Sequence, residues 1–296
     1  MTLVVSFETF PARGELAARR LADEVASMVR LNPRYVAVTC GAGGGGGEGT
    51  ERALADLRAC HADLPLAGHL TCGVGTRGAV VAQARRYEAS GARWVLALRG
   101  DGRAGPGTPW APQPHGFADA PSMIAALRES TALRIAVAGY PEPHPDSRGE
   151  RADLDHLRRK VDAGAEMIVT QFFLDNAPFL RFVERCRGTG IDVPIVPGIM
   201  PIHDFDRVAS FARRCGAHVP PRLAERFAKA KARGAARDLA LAVCAGQCDA
   251  LRDEGVRALH FYTMNRADLS VGVCEALGVA GAAGDPGGLE ATAARA

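Results

Sequence analysis

The chain reads as an α/β protein built as a closed (β/α)8 barrel, TIM-type and in one domain, on three observations. Short β-branched runs alternate with longer helical patterns from end to end. The strand-like runs are continuously apolar rather than alternating, as in strands buried on both faces of a parallel sheet. Eight such strand–helix units within 296 residues fit a closed barrel. An open doubly wound sheet is the alternative that the same alternation allows.

The strand-like runs are 3–7, 34–39, 66–70, 93–98, 134–140, 166–170, 193–196 and 257–262. Between them, segments such as 15–30, 79–90, 152–163 and 204–214 carry apolar residues at helical spacing. The stretch 220–253 adds extra helix before the last strand. Residues 1–278 form the barrel domain in this reading. The Ala/Gly-rich tail 279–296 has few large side chains to repay its ordering entropy and is expected to be disordered.

Composition narrows the function classes. Apolar residues make up 47% of the chain, enough for a large core, and the formal charge is only +3. Arginine dominates the basic residues; the lysines are Lys160, Lys229 and Lys231. No basic block interleaved with aromatics is present, which argues against a nucleic-acid partner. No apolar run is long enough to span a bilayer, and the start MTLVVSFETF lacks a basic leader, so a soluble, cytoplasmic protein with no membrane partner is expected. Eight cysteines form no C-x-x-C pair. Cys244 and Cys248 share a helix face but have no further ligand in sequence, so no metal site is expected.

In such a barrel the active site lies at the C-terminal strand ends. Here those ends carry Glu8, Thr39, His69, Arg99-Gly100-Asp101, Tyr140, Gln171, Pro197-Gly198, and Tyr262-Thr263 with Arg266. A ring of acid, imidazole, guanidinium, amide and phenol is what a catalytic mouth requires. The glycine run 41–47 contains Gly-x-Gly-x-x-Gly, but no acidic residue ends the next strand, so a flexible mouth loop is preferred to a dinucleotide fingerprint. Arg99-Gly100-Asp101 reads either as a turn or as a charged pair displayed at the mouth. Tyr140-Pro141-Glu142-Pro143-His144-Pro145 is a proline-stiffened loop that reads as a ligand wall or a rigid turn. Lys160, in an arginine-rich chain, hints at phosphate contact.

Together these segments resemble the methylenetetrahydrofolate reductases. The matching stretches include Ser6-Phe7-Glu8-Thr9-Phe10-Pro11, Val38-Thr39 with Gly41-Ala42, His69-Leu70-Thr71-Cys72 and Ala97-Leu98-Arg99-Gly100-Asp101. They continue with Tyr140-Pro141-Glu142 and His144-Pro145, Lys160-Val161-Asp162-Ala163-Gly164-Ala165, Thr170-Gln171-Phe172-Phe173, Pro197-Gly198-Ile199-Met200-Pro201 and His260-Phe261-Tyr262-Thr263-Met264-Asn265-Arg266. The likeness runs in order from about residue 4 to residue 278.

The resemblance implies a flavin-binding barrel that holds FAD at the strand C-termini. NADH or NADPH would reduce the flavin and leave, and methylenetetrahydrofolate would then be reduced to methyltetrahydrofolate in a ping-pong sequence feeding methionine synthesis. Glu8 would be the general acid, its pKa raised by packing between Phe7, Phe10 and the barrel wall. Asp101 would favour the cationic iminium. Thr39, Cys40, Ala42, His69, Arg99, Gly100, Asp101, Ala118, Tyr140, His144, Asp153, His156, Arg159 and Lys160 match cofactor-contacting positions. Gln171, Arg207, Phe211 and Arg266 match substrate-contacting ones.

The sequence departs from the family at Cys40 (commonly Tyr), Arg207 (commonly Gln) and Thr9 (commonly Phe), which bears on flavin and folate affinity. The resemblance also implies a homo-oligomer. With no appended regulatory domain in the sequence, no feedback by S-adenosylmethionine is expected. Two other readings share the sequence: the same chemistry run as methyltetrahydrofolate oxidation, and a non-catalytic flavin-binding partner subunit.

Overall fold

The alternation of apolar strands and amphipathic helices closes on itself. The computed structural model describes residues 3–40, 47–73, 75–100, 111–143, 147 and 149–279. Within them eight parallel strands, β1 (Val4–Thr9), β2 (Val36–Val38), β3 (Leu66–Thr71), β4 (Ala92–Leu98), β5 (Arg134–Gly139), β6 (Met167–Phe172), β7 (Ile195–Ile199) and β8 (Ala258–Tyr262), form a closed barrel in sequential order. The (β/α)8 expectation holds, and the open sheet is excluded. Closure is made by β1 against β8, with Val4 opposite Ala258 and Glu8 opposite Tyr262.

Helices α1 (Glu15–Val29), α2 (Glu48–Cys60), α3 (Arg77–Ala89), α4 (Ala120–Ser130), α5 (Glu150–Asp162), α6 (Asn176–Gly188) and α7 (Phe205–Arg214) follow the first seven strands in turn. The predicted extra helix resolves into α8 (Pro221–Ala232) and α9 (Ala236–Asp253), and α10 (Asp268–Ala276) follows β8. On α1, Leu21, Val25 and Met28 are buried at the spacing of one helix face. Short polar side chains start several helices. Thr76 Oγ1 accepts from Ala79 N at 3.3 Å, and Asp119 with Ser122 forms a capping box on α4. No described helix is long and apolar enough to cross a membrane.

Strand parity sorts the core into two compartments. Outward residues such as Val5, Phe7, Leu259 and Phe261 join the large cluster between barrel and helices. Inside the barrel, Tyr35, Ala37, Ala67, Trp94, Leu96, Ala136, Met167, Val169 and Val196 pack as a plug. That plug closes the middle of the barrel and leaves its C-terminal mouth to polar residues. The predicted tail lies outside the described residues from 280 onward.

Candidate active site

Ser6 and Glu8 have the same parity on β1, and His260 and Tyr262 share it on β8, so all four face into the barrel. His69 joins them from β3. Glu8 Oε2 lies 3.2 Å from His69 Nε2 and 3.7 Å from His260 Nε2, with the Glu8 side chain 11% exposed. Behind it, Ser6 Oγ sits 2.8 Å from His260 Nδ1. The Glu8 main chain is held as well, because Thr263 Oγ1 donates to its carbonyl at 2.7 Å.

This geometry corrects the expected electrostatics of Glu8. Phe7 does not press on the carboxyl: it points outward and stacks on Phe261 at 5.7 Å, while Phe10 is 39% exposed. Burial alone pushes the carboxyl up, but His69 and His260 together outweigh it and hold it at about 2. In the ligand-free protein Glu8 is therefore an ionised carboxylate between two imidazoles.

A second group gathers around β4, β5 and α5. Lys160 is buried, donates to the Ala138 carbonyl at 3.1 Å, and is lowered to about 8, chiefly by burial and further by Arg99, against the pull of Asp153. Arg159 pairs with Asp119 at 3.2 Å and reaches His156 Nδ1 at 2.9 Å. Burial, then Lys160 and Arg159, push His156 down to about 4. Ala118 is exposed just ahead of Asp119. The Arg99 carbonyl accepts from Cys72 Sγ at 3.3 Å, and Gly100 takes φ +85°, with Thr71 Cβ 3.0 Å from where its own Cβ would stand. Thr39 is buried, and Cys40 and Tyr140 are half-buried. The structure thus brings Arg99, Asp153, His156, Arg159 and Lys160 together. Ala42, Asp101 and His144 lie outside the described residues.

The third wall comes from β6 to β8. Gln171, the penultimate residue of β6, is half-buried, its Oε1 accepting from Phe172 N at 3.0 Å. Phe211 stacks on Phe172 at 5.4 Å, and Phe172 meets Tyr262 edge-on at 6.3 Å. Tyr262 donates to the Thr170 carbonyl at 2.7 Å across Gly198, where a Cβ would meet that carbonyl and stand 2.5 Å from the Tyr262 ring. Arg266 follows β8, beside the left-handed Met264 and Asn265. The Asn265 amide clamps Phe10, accepting from its N–H at 2.6 Å and donating to its carbonyl at 3.0 Å, which ties the loops after β1 and β8. Arg207 is set apart from this wall, its side chain 89% exposed and 3.6 Å from Asp204.

Sequence reasoning gave no role to His260 or Ser6. The signal was available: each is polar, in an otherwise apolar strand, two residues from Glu8 or Tyr262, and so shares their inward parity. Among the described residues, no group of three or more His, Cys, Asp or Glu is placed to hold a metal ion.

Fold and site together define a (β/α)8-barrel enzyme with a carboxylate–imidazole centre at its mouth and a cationic band beside it. The chain belongs to the methylenetetrahydrofolate reductase family, whose sequence profile matches residues 1–278. It is 37% identical over 276 residues to the 5,10-methylenetetrahydrofolate reductase of Salmonella typhimurium, covering 93% of this chain and 90% of that protein. The reductase of the same name from Escherichia coli matches at 37% identity with the same coverage. By structure, the chain superposes with a TM-score of 0.63 on an uncharacterized protein from Clostridium thermocellum described as binding two copies of 5-methyl-5,6,7,8-tetrahydrofolic acid. The overlap covers 92% of this chain and 93% of that one at 11% identity, a likeness of fold alone.

Proposed function

We propose that this protein is a flavoenzyme that reduces 5,10-methylenetetrahydrofolate to 5-methyltetrahydrofolate, with FAD as cofactor and NADH or NADPH as the reductant in a ping-pong sequence. The observation that carries the reading is the Glu8 carboxylate held inside the mouth by His69 and His260, in a chain of this family.

The residues present fit a dinucleotide. Lys160 keeps donor capacity beyond its single bond to Ala138, and Arg99, Arg159 and His156 stand near it, so the band suits an anionic pyrophosphate. Thr39 Oγ1 and Asp153 Oδ2 are buried without a hydrogen-bond partner, as polar atoms awaiting a ligand edge would be. When bound, FAD supplies the hydride chemistry.

The chain's own part is to hold and deliver a proton. At neutral pH Glu8 is ionised, so acid catalysis requires it first to take up a proton. A pterin seated on the mouth covers the remaining exposure of Glu8, which strengthens the burial that favours its neutral form. Proton transfer to the folate ring nitrogen then opens the bridge carbon to hydride. Gln171 and the Phe172–Phe211 stack offer amide and aromatic contacts to the ligand, and Arg266 offers a guanidinium to its carboxylates.

The test is an anaerobic titration followed through the flavin spectrum. The protein should bleach with NADH or NADPH and recover its colour on addition of methylenetetrahydrofolate. A colourless protein that takes up no FAD contradicts the reading.

A further inference from the structure

Asp268, in the first turn of α10, is faced by one imidazole and two guanidiniums. His203 Nδ1 lies 3.6 Å from its Oδ1, and Arg237 and Arg266 each lie 3.6 Å from its Oδ2. These separations exceed hydrogen-bond reach, so the carboxylate anchors neither guanidinium in a bidentate fork. No other described carboxylate pairs with Arg237 or Arg266, which leaves a net positive charge at this point of the rim.

Both guanidiniums are open to solvent, with side chains 67% and 55% exposed, while His203 is only 10% exposed and its Nε2 has no partner. Arg237 also sits where its own helix disfavours it. It lies in the first turn of α9, beside that helix's positive end, and α9 has no side-chain cap there. Helix stability does not account for an arginine at that position. Its surroundings are continuous with the third wall of the site: Ile202, Ala240 and Leu269 share a core cluster against which Phe211 and Tyr262 pack.

We propose that Arg237 is a specificity-determining residue which, beside Arg266, receives the additional carboxylates of an extended folate tail, a γ-linked chain of several glutamyl residues. The assignment rests on the reductase reading above. Arg266 takes the carboxylate nearest the pteroyl group, and Arg237, coming from α9, takes those further along.

The experiment compares KM for methylenetetrahydrofolate carrying one or three glutamyl residues, using the full-length flavin-loaded protein. The wild type should favour the longer tail by about two- to fivefold, the range of an exposed ion pair. In Arg237→Ala that ratio should fall toward one, and Arg237→Lys should restore part of it. Lys229→Gln removes an equal charge from an exposed position on α8 and should keep the wild-type ratio. An unchanged ratio in Arg237→Ala, or an equal loss in Lys229→Gln, overturns the assignment. A wild type that turns over neither form overturns the reductase reading, and the tail assignment with it.

Discussion

Glu8 Oε2 stands 3.2 Å from His69 Nε2, and this pairing turns a buried carboxyl into an ionised one. Burial by itself favours the neutral acid. The two imidazoles reverse that outcome, so the proton for catalysis is not stored on Glu8 in the free protein.

The influence of His260 is open to measurement. In His260→Gln one of the groups lowering Glu8 is removed, and its pKa should rise from about 2 toward its ordinary 4.5. The stability sign follows. With a lowered folded pKa, Glu8 contributes stability that is fully present above about pH 4.5 and is lost as pH falls toward 2. The variant should lose less stability across that window than the wild type, read as melting temperature against pH. Parallel curves would contradict the coupling.

Lys160 illustrates the opposing demands of stability and binding. Its folded pKa lies near 8 against an ordinary 10.5, so the buried charge costs stability below pH 8, and stability recovers as pH rises from there toward 10.5. Lys160→Met should raise the melting temperature of the apoprotein at pH 7 by about 2–4 °C for each kcal/mol recovered. The same variant should weaken FAD binding about 10- to 100-fold, the loss of a charge-assisted hydrogen bond. Isothermal titration and thermal melts on one preparation check both halves.

Gly198 keeps Tyr262 in place by its lack of a side chain. A methyl group there collides with the Thr170 carbonyl and the Tyr262 ring. Gly198→Ala should cost about 1–3 kcal/mol, as overpacking does, and displace the Tyr262 hydroxyl from Thr170. Urea denaturation gives the stability. Tyr262→Phe should cost less, about 0.5–1.5 kcal/mol, because it removes only the hydrogen bond.

Much of the architecture was legible in the residues because parallel barrel strands must be apolar on both faces. Each of the eight strand runs appears as a strand, with ends displaced by at most three residues, as for 193–196 against Ile195–Ile199. The ring of polar side chains at the strand ends was legible too, although Gln171 and Tyr262 make hydrogen bonds to backbone. The charge state of Glu8 was not. It depends on His69 and His260, which lie 61 and 252 positions away in sequence and meet it only once β8 closes on β1. Phe7, the sequence neighbour expected to shield the acid, faces the opposite compartment, because adjacent strand residues always do.

The central claim is that Glu8 donates the proton in the folate half-reaction and takes no part in flavin reduction. The direct measurement is stopped-flow spectroscopy of Glu8→Gln in each half-reaction separately. The account predicts bleaching by NADH or NADPH at close to the wild-type rate. It also predicts recovery by methylenetetrahydrofolate slowed by about 10²- to 10⁴-fold, the worth of a positioned general acid. Recovery at the wild-type rate would contradict it.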